Sequence, residues 1–183
     1  GLADEFTVEM ARFITEDPGA ETLLTGLTEQ NAFVKCLPDG VTYRFHHMMK
    51  ECALRVFLTL PQERRNDCRR RFGAWYEQHR QYLHAMQAYY QSGDYHALLR
   101  VVQQDAGILL SSLDPKNVLD FLDKCPEDTL KAHPAALLVL MRSMFNWRQI
   151  PRMLELKDVL MAAIEEHPEL PAEERGNLLG ECD

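Results

Sequence analysis

From Pro61 onward the apolar residues recur at helical spacing, but in short stretches, each cut off by proline or by a glycine-aspartate pair. Cys68, Phe72, Trp75 and Tyr76 form one stripe, and Leu83, Met86 and Tyr90 belong to the next. Ser92-Gly93-Asp94 interrupts the pattern, which Tyr95, Leu98, Leu99 and Val102 resume at i, i+3, i+4, i+7. This predicts a helical hairpin, with glycine in the left-handed position that ends one helix and aspartate capping the next. Asp114-Pro115 supplies an N-cap and a first-turn proline ahead of Val118, Phe121, Leu122 and Cys125. Pro126, Pro134, Pro151, Pro168 and Pro171 punctuate further helices, including a long one from about Pro151 to His167. A short helix cannot bury its apolar face alone. Stacked antiparallel helices are therefore expected: TPR-like α-helical repeats, the start of an α-solenoid.

Residues 1 to about 60 have a different texture. Thr7 is placed to cap a helix carrying Val8, Met10, Ala11, Phe13 and Ile14, and Asp17-Pro18-Gly19 ends it. A second helix, from about Ala20 to Gln30, sets Leu23, Leu24 and Leu27 on one side. The period then changes. Ala32–Leu37 and Val41–Phe45 are short and rich in strand formers, with the hairpin signal Pro38-Asp39-Gly40 between them. A third helix is expected from about His46 to Leu58, with Met49, Ala53, Val56 and Phe57 facing inward. The predicted chain is mainly α: a small winged-helix-like domain with a β-wing over 1–60, then helical repeats over 61–183. The second region stops at Gly180-Glu-Cys-Asp just after a helical pattern begins, so it is expected to be truncated there and the chain to be a piece of something longer.

Composition narrows the function. The 183 residues are 46% hydrophobic, enough for a sizeable core, and the formal charge of −8 repels nucleic acid. Arg64, Arg65, Arg69, Arg70 and Arg71 spread around most of one helix and are interrupted by Asp67. A phosphate-tracking stripe needs one face, so these read as a solvated face with local ion pairs. Five cysteines without a Cys-x-x-Cys fit a reducing cytosol. The N-terminus, interrupted by Asp4, Glu5 and Glu9, carries no signal-peptide core, and the longest apolar run, Ala135–Met141, falls short of the roughly 20 residues of a membrane span. A cytoplasmic protein is expected.

Five segments in order carry a resemblance. Tyr43-Arg-Phe-His-His-Met-Met-Lys-Glu-Cys-Ala-Leu54 resembles the aromatic-Arg-aromatic-His-His segment of ATP-dependent LuxR-type transcriptional regulators of the MalT-like class. Arg71–His79, with Ala-Trp-Tyr-Glu at its centre, is similar to a helix of that family. So are the hairpin His84–Tyr95, the segment Cys125-Pro-Glu-Asp followed by His133-Pro134, and the leucine-rich helix leading into Asn31-Ala-Phe-Val34. The resemblance covers about residues 7–165. It implies a STAND ATPase switch: a nucleotide-binding domain, a winged-helix domain, a helical-repeat sensor and a promoter-binding helix-turn-helix. The chain would hold only the winged-helix domain and the first repeats. None of the nine glycines is followed by lysine, so no phosphate-cradling Gly-x-x-x-x-Gly-Lys loop lies within it, and no enzyme activity or bound cofactor is expected of this piece. The implied partners are the protein's own nucleotide-binding domain, with ATP or ADP, and an unknown effector or protein. Oligomerisation is implied for the active full-length protein, and neither direct DNA binding nor membrane attachment for this piece. The alternative is a free-standing helical-repeat adaptor for protein–protein interaction.

The resemblance places His46 on the histidine that contacts the β-phosphate of ADP in the winged-helix Met-His-Asp motif of related proteins, with His47 where the aspartate would stand. An imidazole donates a hydrogen bond to phosphate, and a helix start adds exposed N–H groups. The competing reading is a histidine that caps its own helix. His47 and Glu51 share a face at i, i+4, but no local residue supplies a third metal ligand. The aromatic residues Trp75, Tyr76, Tyr82, Tyr89, Tyr90 and Tyr95 read mostly as packing, with one or two on a concave sensing surface. No Gly-x-Ser-x-Gly and no cysteine beside a base marks a nucleophile.

Overall fold

The computed structural model describes residues 3–30, 34–106 and 108–166, together with 176 and 180. The chain is mainly α-helical and divides into two compact units, Gly1–His79 and Arg80–Asp183. The expected strand start at Ala32 and the chain end beyond 166, with Pro168, Pro171 and Gly180-Glu-Cys-Asp183, fall largely outside the described residues.

In the first unit Glu5–Thr7 (β1) runs directly into Val8–Thr15 (α1), followed by Ala20–Glu29 (α2) and the wing strands Val34–Cys36 (β2) and Thr42–Phe45 (β3). Thr7 is both the last strand residue and the helix cap: its hydroxyl accepts the Met10 N–H at 3.1 Å. The wing turn forms as expected. Gly40 takes φ +72°, which suits glycine, and the Asp39 carboxylate accepts from the N–H groups of Val41 and Thr42 and from the Thr42 hydroxyl at 2.6 Å. Those three donors hold the Asp39 pKa below the usual carboxylate value.

The sheet order is β1-β3-β2, with both pairings antiparallel. The first strand escapes the sequence pattern because it is only three residues long and has no turn before α1. Phe6 lies against Phe45, ring centres 4.7 Å apart, and joins Met10, Ile14, Leu24, Val34 and Trp75 in one core. Trp75 belongs to Gln62–Gln78 (α4), which packs on α1. Cys68, Phe72 and Tyr76 of the predicted stripe border the same core. By packing, therefore, α4 is part of the first unit, although texture grouped it with the region after residue 60. Arg71 ties the two helices, donating to the Ile14 carbonyl at 3.0 Å and pairing with Glu16 at 3.0 Å.

Two helical expectations need correction. His47–Thr59 (α3) forms, but none of its residues is buried. Val56, expected inside, is 64% exposed, and Met48 and Leu58 are exposed beside it. Leu23 likewise faces outward while its neighbour Leu24 is buried. Helical spacing shows that apolar residues share a side; whether another element covers that side depends on distant residues.

Among its described residues the second unit has only helical elements: Tyr82–Ser92 (α5), Tyr95–Asp105 (α6), a short 3-10 turn at Leu110–Ser112, Pro115–Lys124 (α7), Glu127–Lys131 (α8), Pro134–Asn146 (α9) and Ile150–Glu166 (α10). The α5–α6 hairpin forms at Gly93, φ +72°, with Asp94 accepting the Ala97 N–H at 3.1 Å. Asp114 caps α7 through the Lys116 N–H. The α9–α10 hairpin repeats the α5–α6 turn, with Arg148 in the left-handed position at φ +57°. The helices pack α5 on α6, α6 on α9 and α9 on α10. Leu99, Val101, Val102, Leu137, Leu140, Met144, Leu160 and Ile164 are fully buried there. In α5 the core residues are Ala85, Met86 and Tyr89, so the inward tyrosine is Tyr89 rather than the expected Tyr90.

His133, just ahead of α9, sits with its Nε2 3.1 Å from His96 Nδ1. Burial first, then His96 and Arg100, pull the His133 pKa below the ordinary histidine value. The unfolded chain therefore takes up this proton at a higher pH than the folded chain, and stability falls as pH drops below about 6.5. Melting temperature is expected to be lower at about pH 5.5 than at about pH 7.5, and the drop to shrink in His133→Gln. An identical drop in both proteins would show that His133 does not carry the effect.

Candidate functional site

The candidate site lies where the wing hands over to α3. In-register pairing places Glu5, Arg44 and Lys35 side by side across the three strands, hence on one face of the sheet. His46 follows β3 in extended conformation and caps α3, its Nδ1 accepting the Met48 N–H at 3.4 Å. His47 opens the helix and pairs with Glu51 at 3.4 Å. Lys50, one turn beyond His46, reaches Asp4. These groups line one open cleft of about 660 Å³ that holds Lys35, Arg44, Lys50, His46 and His47 together with Asp4 and Glu5.

The structure thus brings His46 and His47 to the same cleft and gives His46 the capping hydrogen bond. Sequence reasoning missed Lys35, Arg44 and Lys50. No local signal marks them, because Lys35 and Arg44 fall on one face only once the hairpin register is known. Arg44 donates from Nε to Glu5 at 3.0 Å, and Lys50 is held by Asp4. Both pairs are exposed, and exposed pairs contribute about 0–1 kcal/mol, so an incoming anion can replace either carboxylate at small cost. The cleft is suited to holding an anionic group beside two imidazoles.

The other sequence-predicted features settle elsewhere. Arg69 lies over the Phe57 ring at 5.6 Å, Arg70 pairs with Asp67, and Arg71 serves α1, so the arginine cluster spreads over different neighbours. Trp75 packs on Phe13 and stacks on His79, ring centres 4.0 Å apart, and Tyr95 packs on Phe121. Burial raises the Cys68 thiol pKa and pushes that of Cys125 up to about 11, which keeps both protonated near neutral pH. Among the described residues no cluster of three or more histidines, cysteines or carboxylates is placed to hold a metal ion, and no helix is long and apolar enough to cross a membrane.

Helices, a small sheet with a β-wing and a third helix in this order define a winged-helix domain, followed along the chain by an array of antiparallel helices. Residues 1–66 match the family model of the MalT winged helix domain, so this part of the chain is similar to that family. No curated protein and no solved structure matches the chain.

Proposed function

We propose that the chain is a regulatory portion of a bacterial, cytoplasmic, ATP-dependent transcription regulator of the LuxR type, MalT-like and of the STAND ATPase class. The observation that carries this reading is the MalT winged-helix match over residues 1–66, joined to a helical array. In this reading the winged-helix domain is an intramolecular clamp. His46, with His47 beside it, contacts the phosphate of ADP held by a nucleotide-binding domain outside these residues, and Lys35, Arg44 and Lys50 supply positive charge near that phosphate. The TPR-like repeats sense an effector or protein partner. Effector binding favours an ATP-bound, oligomerising state over the closed ADP-bound one, which requires different contacts in the two states. No catalytic residue and no promoter contact is assigned to this chain.

The test separates phosphate contact from capping. Asparagine at position 46 keeps a side-chain acceptor for the helix cap but removes the imidazole. In the full-length protein both His46→Ala and His46→Asn are expected to weaken ADP binding about tenfold or more, since a hydrogen bond to a charged group contributes about 1.5–3 kcal/mol. Wild-type ADP affinity in His46→Asn would reduce the residue to a cap and overturn its role in the switch. The parent reading frame offers a second check, because this reading requires a phosphate-binding loop upstream and a helix-turn-helix downstream. A frame without them would leave the chain a helical-repeat adaptor.

A further inference from the structure

The cleft at the wing already carries two anionic groups of its own. Asp4 sits on Lys50 and Glu5 on Arg44, with Arg44 Nε donating to Glu5 at 3.0 Å. The two carboxylates are consecutive in the chain, and Glu5 is the first residue of β1. Strand pairing sets Glu5 directly across from Arg44, and Arg44 directly across from Lys35. Lys35 is the third cation of the cleft; it is exposed and has no carboxylate partner among the described residues. With neutral imidazoles the cleft therefore has one surplus positive charge while both carboxylates are in place, and three once they withdraw.

The two pairs decide which anion the cleft accepts. A carboxylate ligand would replace Asp4 or Glu5 by its like, one charge for one charge, and would have to displace a group tethered beside the cation. It gains nothing by the exchange. A phosphoryl group brings up to two charges and three acceptor oxygens, so it keeps a surplus after the exchange, and a diphosphate keeps one at two cations at once. Exposed ion pairs are individually weak, so such a ligand can open both. Lys35 has no ion pair to give up and is free to meet it first.

We propose that Asp4 and Glu5 are a built-in counter-ligand of this cleft: they occupy Lys50 and Arg44 while it is empty and yield to a diphosphate, which Lys35 engages from the side that carries no carboxylate. The device rests on the reading of the cleft as a phosphate site and adds what keeps carboxylates and other weakly charged anions out of it. Its test reads binding to this chain alone and turns on two acidic residues that the ADP experiment does not touch.

The probe is inorganic pyrophosphate, titrated calorimetrically into the chain at about 0.15 M salt, where exposed charges more than about 8 Å apart are screened. The wild-type chain is expected to bind it weakly at one site. Asp4→Asn/Glu5→Gln is expected to bind it about tenfold more tightly, each opened pair giving about threefold, a change opposite in sign to that of a variant damaged in folding. Glu9→Gln/Glu29→Gln removes the same charge from exposed positions outside the cleft and is expected to leave affinity unaltered. Lys35→Gln, which breaks no ion pair, is expected to weaken binding about threefold or more. Malonate, with two carboxylates at a similar spacing, is expected to bind the wild-type chain at least about tenfold more weakly than pyrophosphate. Pyrophosphate binding that is no tighter in Asp4→Asn/Glu5→Gln, that rises equally in Glu9→Gln/Glu29→Gln, that is unaltered in Lys35→Gln, or that malonate matches would overturn the counter-ligand and leave the phosphate site standing. Absence of saturable binding to both the wild type and Asp4→Asn/Glu5→Gln would overturn it as well, and the reading beneath it would then be judged by the ADP experiment on the full-length protein.

Discussion

Trp75→Ala is expected to cost the first unit about 3–5 kcal/mol, the range for removing a buried aromatic ring. Trp75 is only 8% exposed; it packs on Phe13 at 5.5 Å and shares a core with Phe6, Met10, Ile14, Leu24 and Val34. A domain of this size has about 5–15 kcal/mol in total, so the loss leaves it near its unfolding threshold. Segment-resolved hydrogen exchange is the direct measurement: amides of α1, β3 and α4 should lose protection together. The same packing predicts that a chain ending at residue 60 fails to melt cooperatively, because it lacks Cys68, Phe72, Trp75 and Tyr76, whereas one ending at residue 79 does. Cooperative melting of the 60-residue piece, or a loss under about 1 kcal/mol in Trp75→Ala, would show that α4 is not part of this core.

Leu99→Ala in α6 is expected to destabilise the second unit by about 2–5 kcal/mol, while Leu23→Ala in α2 changes stability by no more than about 0.5 kcal/mol. Leu99 is fully buried where α6 packs on both α5 and α9, and its removal leaves a cavity that the packed helices close only in part. Leu23 is 61% exposed. Urea denaturation of both variants separates them, and similar losses would contradict the burial described for α2. The contrast is informative because the two leucines look alike in the sequence, each placed on an apolar helix side by i, i+3, i+4 spacing.

That pair shows which signals are readable in the chain. Thr7, Asp94 and Asp114 cap the helices assigned to them, and Pro38-Asp39-Gly40 makes the wing turn. Each such choice is settled by hydrogen bonds within a few residues or by a preferred backbone angle, so it survives out of context. Where the residue type is neutral the signal fades. The α5–α6 turn is marked by Gly93, whereas Arg148 makes the equivalent turn between α9 and α10 without a glycine to announce it.

His46 and His47 were found through the likeness of their flanking residues, and the cap at His46 is again a local contact. The basic residues around them were not, because Lys35, Arg44 and Lys50 meet only through the pairing of three strands and the start of α3. Secondary structure, caps and turns were written in neighbouring residues. Contacts between residues far apart in the chain, such as Glu5 with Arg44 or Arg71 with the Ile14 carbonyl, selected the rest: which apolar sides are covered, where α4 belongs and which charges converge on the wing. Burial and electrostatics act through space, and a helical or alternating period records only that a face exists, leaving its partner to the folded chain.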